Sequence, residues 1–256
     1  MPTKHPPLSV VWLKRDLRLE DHEALSAALE GRKSVLLLYV AEETLLAEEH
    51  FSSRHLNFIK ESIADMNRRL VQFNTEVLAV HGEVVAVLEI LHQEFEIEAV
   101  YSHYETGIGL TYRRDLELQK WLKSEGIIWL EYRQQGVFRG LQNRKSWTEM
   151  WEEFMQKPQK PYPKKEQKFV AVHTLKKIQS KFKLMDLNTI PNSKVQPGGV
   201  TYAKRYLNSF FEGRYMNYQK HISKPDLARR SCSRLSPYIA YGNLSKRQVL
   251  QRTEEE

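Results

Sequence analysis

Near the end of the chain, Ser231-Cys232-Ser233-Arg234-Leu235-Ser236-Pro237 gathers three hydroxyls and a guanidinium within seven residues. These are anion-binding groups, and the backbone beside them should help. Ser236 followed by Pro237 is a good N-cap and N1 pair, so a helix is expected to start there. Gly242 would close it, and Ser245 with Gln248 three residues later forms a capping box for the next helix. The first N–H groups of a helix lack intrahelical partners, so with hydroxyls and an arginine nearby they suit a phosphate or pyrophosphate. The same serines could equally serve only as caps.

Other arrangements that carry chemistry are missing. The nine histidines show no H-E-x-x-H or other ligand spacing, so no metal centre is expected. Cys232 is the lone cysteine, which excludes an intrachain disulfide and a cysteine-based zinc site. There is no G-x-S-x-G nucleophile elbow. No G-x-G-x-x-G follows the first apolar run and no P-loop occurs, so an ordinary dehydrogenase or P-loop enzyme is not expected. Gly107-Ile108-Gly109 is too short a match to count. The five tryptophans, Trp12, Trp121, Trp129, Trp147 and Trp151, read as core packing.

The elements that would position such groups follow from hydropathy. Residues 8–135 alternate between short apolar runs (Val10–Leu13, Val35–Val40, Val77–Val80, Ala99–Tyr101, Ile127–Leu130) and longer amphipathic segments. Consecutive apolar residues in the runs suit strands covered on both faces. Leu56, Ile59, Ile63, Met66 and Leu70 recur at steps of three and four, which predicts a helix over about 53–73. Residues 84–95 and 111–125 read as further helices, the second ended by Gly126. Strand–helix alternation gives a parallel sheet with right-handed crossovers. The expected fold is therefore α/β: a five-stranded parallel Rossmann-like sheet with helices on both faces, over residues 8–135.

A connection is expected over 136–196, where Lys157-Pro158-Gln159-Lys160-Pro161-Tyr162-Pro163 breaks regular structure three times and 189–199 reads as a loop. Between Gln156 and Met185 nine lysines face one acid, Glu166. That is a local excess of eight, so the rest of a chain with net charge +7 sums to about −1. Such a stretch attracts phosphate backbones, or is simply a solvated linker. Helical patterning resumes at Thr201, with Ala203, Leu207, Phe210 and Phe211 on one face, opening an all-α part over 197–256. With 41% hydrophobic residues a packed core is expected, and no apolar run approaches the ~18 residues of a membrane helix. The first seven residues lack the apolar stretch of a secretory leader. These features point to the cytoplasm and to no membrane partner; none of them fixes an oligomeric state.

The segment from Ser233 to Gln248, S-R-L-S-P-Y-I-A-Y-G-N-L-S-K-R-Q, closely resembles the start of the flavin-binding region in photolyases and cryptochromes. Residues Trp12 to Leu25, W-L-K-R-D-L-R-L-E-D-H-E-A-L, resemble the opening motif of that family, with His22 where asparagine is usual. The two motifs stand in the family's order about 210 residues apart, and the likeness covers essentially the whole chain.

That resemblance implies FAD, held by Tyr218, seven residues before Pro225, and by Cys232, Ser233, Arg234, Leu235 and Ser236. Cys232 departs from the pattern, since threonine is common there, and Ser231 could stand in for it. It also implies a second, light-harvesting pigment (a folate, a deazaflavin or a flavin) near Lys14, Arg15, Asp16, Glu105 and Thr106. Arg15 and Asp16 could instead form an ion pair at the strand end. The asparagine–glutamate pair of folate-binding relatives is not found after the fourth strand, where Gly109 and Leu110 stand.

The implied activity is that of a deoxyribodipyrimidine photo-lyase acting on damaged DNA: excited, reduced FAD gives an electron to a flipped-out cyclobutane pyrimidine dimer. The catalytic groups of that reaction are expected beyond residue 256, since the chain ends a few residues into a new helix. Light signalling of the cryptochrome type and simple pigment binding are the alternatives.

Overall fold

The apolar runs and amphipathic segments become β1 (His5–Leu13), α1 (Glu23–Glu30), β2 (Ser34–Ala41), α2 (Glu43–Leu46), α3 (Ser53–Leu70), β3 (Leu78–His81), α4 (Val84–Glu94), β4 (Phe95–His103), α5 (Gly109–Ser124) and β5 (Ile128–Tyr132). Then follow α6 (Trp147–Gln156), α7 (Val172–Ile178), β6 (Lys183–Leu184), α8 (Val200–Phe211), α9 (Tyr218–His221), α10 (Pro225–Ser231), α11 (Ser236–Ala240) and α12 (Lys246–Glu254). This is a computed structural model, and it describes residues 5–189 and 193–256. The first four residues, read above for a leader, and residues 190–192 of the loop expected over 189–199 lie outside the described ones.

The sheet has six strands in the order β5-β4-β1-β2-β3-β6, not five. Five are parallel, and β6 adds antiparallel to β3. A two-residue strand inside a lysine-rich stretch has no hydropathy period to betray it. Strand order runs outward from β1 through β2 to β3, then returns to the other side of β1 with β4, so the switch point lies between β1 and β4.

Alternate residues of the central strands feed two cores. Val10, Trp12, Leu36 and Leu38 meet Leu88 of α4, Leu118 of α5 and Leu175 of α7 on one face. Val11, Leu13, Val35 and Leu37 meet Leu25 of α1 and Ile59, Ile63 and Met66 of α3 on the other. Gly126 takes a left-handed φ of 70° after α5, as its C′ position requires. The edge strand β5 departs from the expectation of two covered faces: Ile128 is 60% exposed, because nothing packs outside it.

The connecting segment carries structure of its own. Val170, Leu175, Ile178 and Met185 are core residues, and Phe169 bridges to Val35 of β2. The lysines stay outside: Lys164, Lys165, Lys168, Lys176 and Lys177 are all exposed. Trp12 is buried, but Trp147 is 41% exposed and stacks on Trp151 at 6.2 Å, so not every tryptophan is a core residue. The helical part has its own small core of Ala203, Leu207, Leu235, Tyr238 and Leu244, completed by Phe58 of α3. Among the described residues no helix is long and apolar enough to cross a membrane.

Candidate functional site

The loop after β1 and the turn after α11 are each other's partners. The Leu17 N–H donates to the Tyr241 carbonyl at 3.1 Å, and Asn243 Nδ2 donates back to the Leu17 carbonyl at 2.9 Å. Arg18, fully buried, donates Nη1 to the Gly242 carbonyl at 3.0 Å and Nη2 to the Asp21 carbonyl at 2.8 Å. Gly242 sits at φ 69°, and a Cβ there would fall 2.1 Å from the Arg15 carbonyl oxygen, so only glycine fits. Asp21, itself left-handed at φ 48°, pairs with Arg247 Nη1 at 2.8 Å and accepts from the Ser245 hydroxyl. Ser245 also caps α12 with Gln248 in the expected capping box.

Beside this junction Asp16 turns inward. Its Oδ1 accepts from the Lys14 N–H at 2.7 Å, and its Oδ2 faces His103 Nδ1 at 2.7 Å and His22 Nε2 at 3.2 Å. His22 Nδ1 accepts from the Leu25 N–H and so caps α1, which leaves Nε2 to carry the proton toward Asp16. Burial alone would raise the Asp16 carboxyl; the two imidazoles more than reverse this and hold it well below the usual carboxylate range. Burial, helped by His22, pushes His103 down to about 4 against the pull of Asp16.

The three ligand-type atoms lie within 4.8 Å of one another, a metal-like grouping that residue spacing did not reveal. The charges favour a hydrogen-bonded knot. Arg18 and Arg247 already balance Asp16 and Asp21, and a divalent cation would leave two buried positive charges uncompensated.

At the carboxyl ends of β1 and β2 lies a cavity of about 480 Å³. Lys14, Arg15, Tyr39, Glu42, Glu105 and Arg114 line it from the sheet side, Phe51, His55 and Ile59 from the α3 side. Ser236, Pro237, Ala240 and Tyr241 close it from the helical part. Arg114 holds Glu42 at 2.7 Å, Asp115 at 2.8 Å and Glu105 at 3.0 Å, and Arg15 Nε holds Glu105 at 3.0 Å. Burial pushes the Glu42 carboxyl up, against the pull of Arg114, and pushes the Tyr39 hydroxyl up as well. Lys14 Nζ lies over the Trp12 ring at 4.3 Å, with Asp115 and Glu131 at 3.9 and 3.8 Å. Among the described residues it has no hydrogen-bond partner, and burial pushes its ammonium down. A second hollow of about 430 Å³ adjoins this cavity and shares Arg15, Glu105, Ser236 and Ala240 with it.

The residues singled out from the sequence therefore separate. Lys14, Arg15 and Glu105 line the cavity, Thr106 lines the adjoining hollow, and Asp16 faces the two histidines instead. Ser236 lines both spaces; Tyr218, Cys232, Ser233, Arg234 and Leu235 line neither. Leu235 is a core residue, and Tyr218 packs edge-on against Phe210. Arg214 donates to the Cys232 and Ser233 carbonyls, and the Ser231 hydroxyl pairs with His221 Nδ1 at 2.7 Å. The Ser233 and Ser236 hydroxyls make no hydrogen bond among the described residues, and Ser236, the first residue of α11, caps nothing. Arg234 takes φ 60° and lays its guanidinium over Tyr206 at 5.1 Å. Sequence reasoning missed Tyr39, Glu42, Arg114 and Tyr241 as cavity residues, because a cavity assembled from elements far apart in the chain leaves no local pattern.

Comparison with known proteins gives a consistent result. The DNA photolyase family model matches residues 9–164. Cryptochrome DASH of Gloeobacter violaceus is 34% identical over 114 residues, which is 42% of this chain and 23% of that protein. The class III photolyase of Agrobacterium tumefaciens superimposes with a TM-score of 0.76 at 20% identity, covering 98% of this chain and 54% of that one. The archaeal photolyase of Sulfolobus tokodaii, solved with two FAD molecules, superimposes with a TM-score of 0.72 at 18% identity, covering 97% and 55%. The chain thus spans about half the length of the solved structures it matches, and at these identities they establish the fold alone.

Proposed function

This chain belongs to the DNA photolyase family, and we propose that it works in a light-driven flavoprotein that repairs cyclobutane pyrimidine dimers in DNA. Its part is the α/β unit that holds a second pigment, together with the first side of the FAD cradle. The observation that carries this reading is the cavity at the carboxyl ends of β1 and β2. Its far wall is α11, the helix that begins at the flavin-type segment. A ligand in an open α/β sheet belongs at this end, beside the switch point. The Sulfolobus tokodaii photolyase, solved with two FAD molecules, has the same fold, which supports room for a second chromophore.

The residues present fit a flavin at the helical part. The free hydroxyls of Ser233 and Ser236 offer donors to phosphate or ribityl oxygens, and Arg234, between them in the chain, keeps its guanidinium over the Tyr206 ring. Tyr218 is 37% exposed, and its hydroxyl makes no hydrogen bond among the described residues. Ser231 is spent on His221 and so does not replace the threonine usual at Cys232. When bound, reduced FAD supplies the excited-state electron that splits the dimer; the protein supplies position and field. Arg214 holds the Cys232 and Ser233 carbonyls, which fixes the backbone that carries the Ser233 side chain.

The likeness to Cryptochrome DASH favours a second reading, light signalling by the same flavin architecture. An absorption spectrum of the purified 256-residue protein, with released cofactor identified by mass, tests the flavin assignment. Stoichiometric FAD supports it, and a colourless protein counts against it. Affinity for ultraviolet-damaged duplex separates the two activities, since a repair enzyme should bind with a steep salt dependence and release repaired DNA in light.

A further inference from the structure

The two edges of the sheet are built differently. β6 closes one edge with two residues, and one of them is a lysine. Lys183 reaches Glu43 at 2.9 Å, and Lys181 beside it is held by Glu94. A short, lysine-bearing edge resists pairing with another strand. β5, Ile128-Trp129-Leu130-Glu131-Tyr132, ends the sheet on the other side without that protection. It has no lysine and no proline, and it pairs with β4 in unbroken register. Its one charge, Glu131, turns to Lys14 over the sheet. The Tyr132 carbonyl accepts from the Tyr104 N–H at 3.0 Å, so Ile128, Leu130 and Tyr132 direct their backbone groups to β4. Trp129 and Glu131 direct theirs to the open edge, where no described residue meets them.

Both flanks of this edge are apolar. Trp129 packs against the core that holds α4 and α5, so Ile128, Leu130 and Tyr132 form a row on the opposite face. Ile128 and Leu130 are exposed in that row. On the first face α5 packs beside β5, and its Trp121 meets His92 of α4 edge-on. At about 100° per residue, Tyr112 and Leu116 fall on the flank turned away from α4, toward the open edge. Tyr112 is 61% exposed there and Leu116 is 39%. Glu125 and Arg133 bracket the strand, both exposed, and neither has an ionic partner among the described residues.

We infer that β5 is a pairing edge for a second copy of this chain, the two β5 strands running antiparallel about a two-fold axis at Leu130 and joining the two six-stranded sheets into one. The register centred on Leu130 pairs all five residues. Trp129 and Glu131 then exchange backbone hydrogen bonds with Glu131 and Trp129 of the second copy. Ile128 stands opposite Tyr132, and Leu130 opposite Leu130, so the apolar row completes itself. An axis perpendicular to the sheet joins like faces, so the Tyr112 and Leu116 flanks of the two α5 helices also face each other. Glu125 of each copy comes near Arg133 of the other. A strand of a different protein would have to supply this match residue by residue; a second copy supplies it by symmetry. Antiparallel pairing points the carboxyl ends of the two sheets in opposite directions, which leaves both cavities open.

Sedimentation velocity on the 256-residue protein tests the pairing, with a dimer expected to build up through the micromolar range. Leu130→Lys sets two lysines directly opposite each other and should weaken the dimer by at least about tenfold. Its unfolding midpoint, read on dilute protein, should match the parent chain, since Leu130 already meets solvent. Met216→Lys/Ile222→Lys, on the exposed side of the helical part, should leave the dimer unchanged. Glu125→Arg and Arg133→Glu should each weaken it, and the two together should restore it.

A covalent readout fixes the register. Opposed Leu130 residues would have Cα atoms about 4.5 Å apart, within disulfide range. Leu130→Cys in a Cys232→Ser chain should therefore cross-link on mild oxidation, and Val71→Cys, exposed just after α3, should not. A chain that stays monomeric throughout overturns the proposal and leaves the edge to a strand of another protein. A dimer that survives Leu130→Lys or is lost in Met216→Lys/Ile222→Lys also overturns it, as does cross-linking no faster at Leu130→Cys than at Val71→Cys.

Discussion

The two family-like motifs contain two kinds of polar residue, and the structure uses them in opposite ways. At the junction between the β1 loop and the α11 turn, Arg18, Asp21, Asn243, Ser245 and Arg247 are buried and spend their groups on one another or on backbone. Along the flavin-type segment, Ser233 and Ser236 keep free hydroxyls and only Leu235 is buried among the four. A motif match alone does not tell these apart. Buried polar groups must find partners within the protein, so only those left unpaired and accessible are available to a ligand.

The sharpest break in this comparison is Asp21→Ala. It strands the buried Arg247 guanidinium and should cost about 3–5 kcal/mol in chemical denaturation, whereas a ligand residue at that position would cost little. Next is Gly242→Ala. A Cβ 2.1 Å from the Arg15 carbonyl at a left-handed φ should cost about 2–4 kcal/mol and loosen the helical part, read as faster proteolysis after α11.

Acid should act on the junction side as well. His103 is held neutral in the fold, with its titration moved from 6.5 to about 4. Between those values the unfolded chain binds the extra proton, so stability falls as pH drops, with a slope of at most about 1.4 kcal/mol per pH unit. Asp16 adds to the loss only at still lower pH, because its carboxylate form is the one the fold favours. His103→Asn should flatten the slope between pH 6.5 and 4 in urea titrations at fixed salt. The smallest effect belongs to the open side. Ser233→Ala and Ser236→Ala should leave stability within about 0.5 kcal/mol yet weaken FAD retention by about 1 kcal/mol each, measured as cofactor released during gel filtration.

Much of the fold was legible in the order of residues. Five strands were marked by consecutive branched residues, and α3 by a stripe from Leu56 to Leu70, because sheet burial and helix amphipathicity imprint on neighbouring positions. The Ser245–Gln248 box and Gly126 were equally visible, since caps are local. What escaped was β6, too short for a period, and the bare face of β5, where the composition says apolar but nothing comes to cover it. The packing of Val170, Leu175, Ile178 and Met185 under a lysine-rich surface was hidden by the charge around them.

The site divides along the same line. The amino-acid sequence by itself determined the α/β architecture, the family likeness and the short segments where anion-binding groups cluster, all properties of residues a few positions apart. Only the tertiary structure decided which of those groups remain free. Asp16 meets His22 and His103, and Asp21 meets Arg247, 226 positions along the chain. It also decided that Arg15 and Lys246 share one hollow. Each polar group is claimed by whatever reaches it first in space, and burial enforces that claim. Sequence spacing carries no record of it.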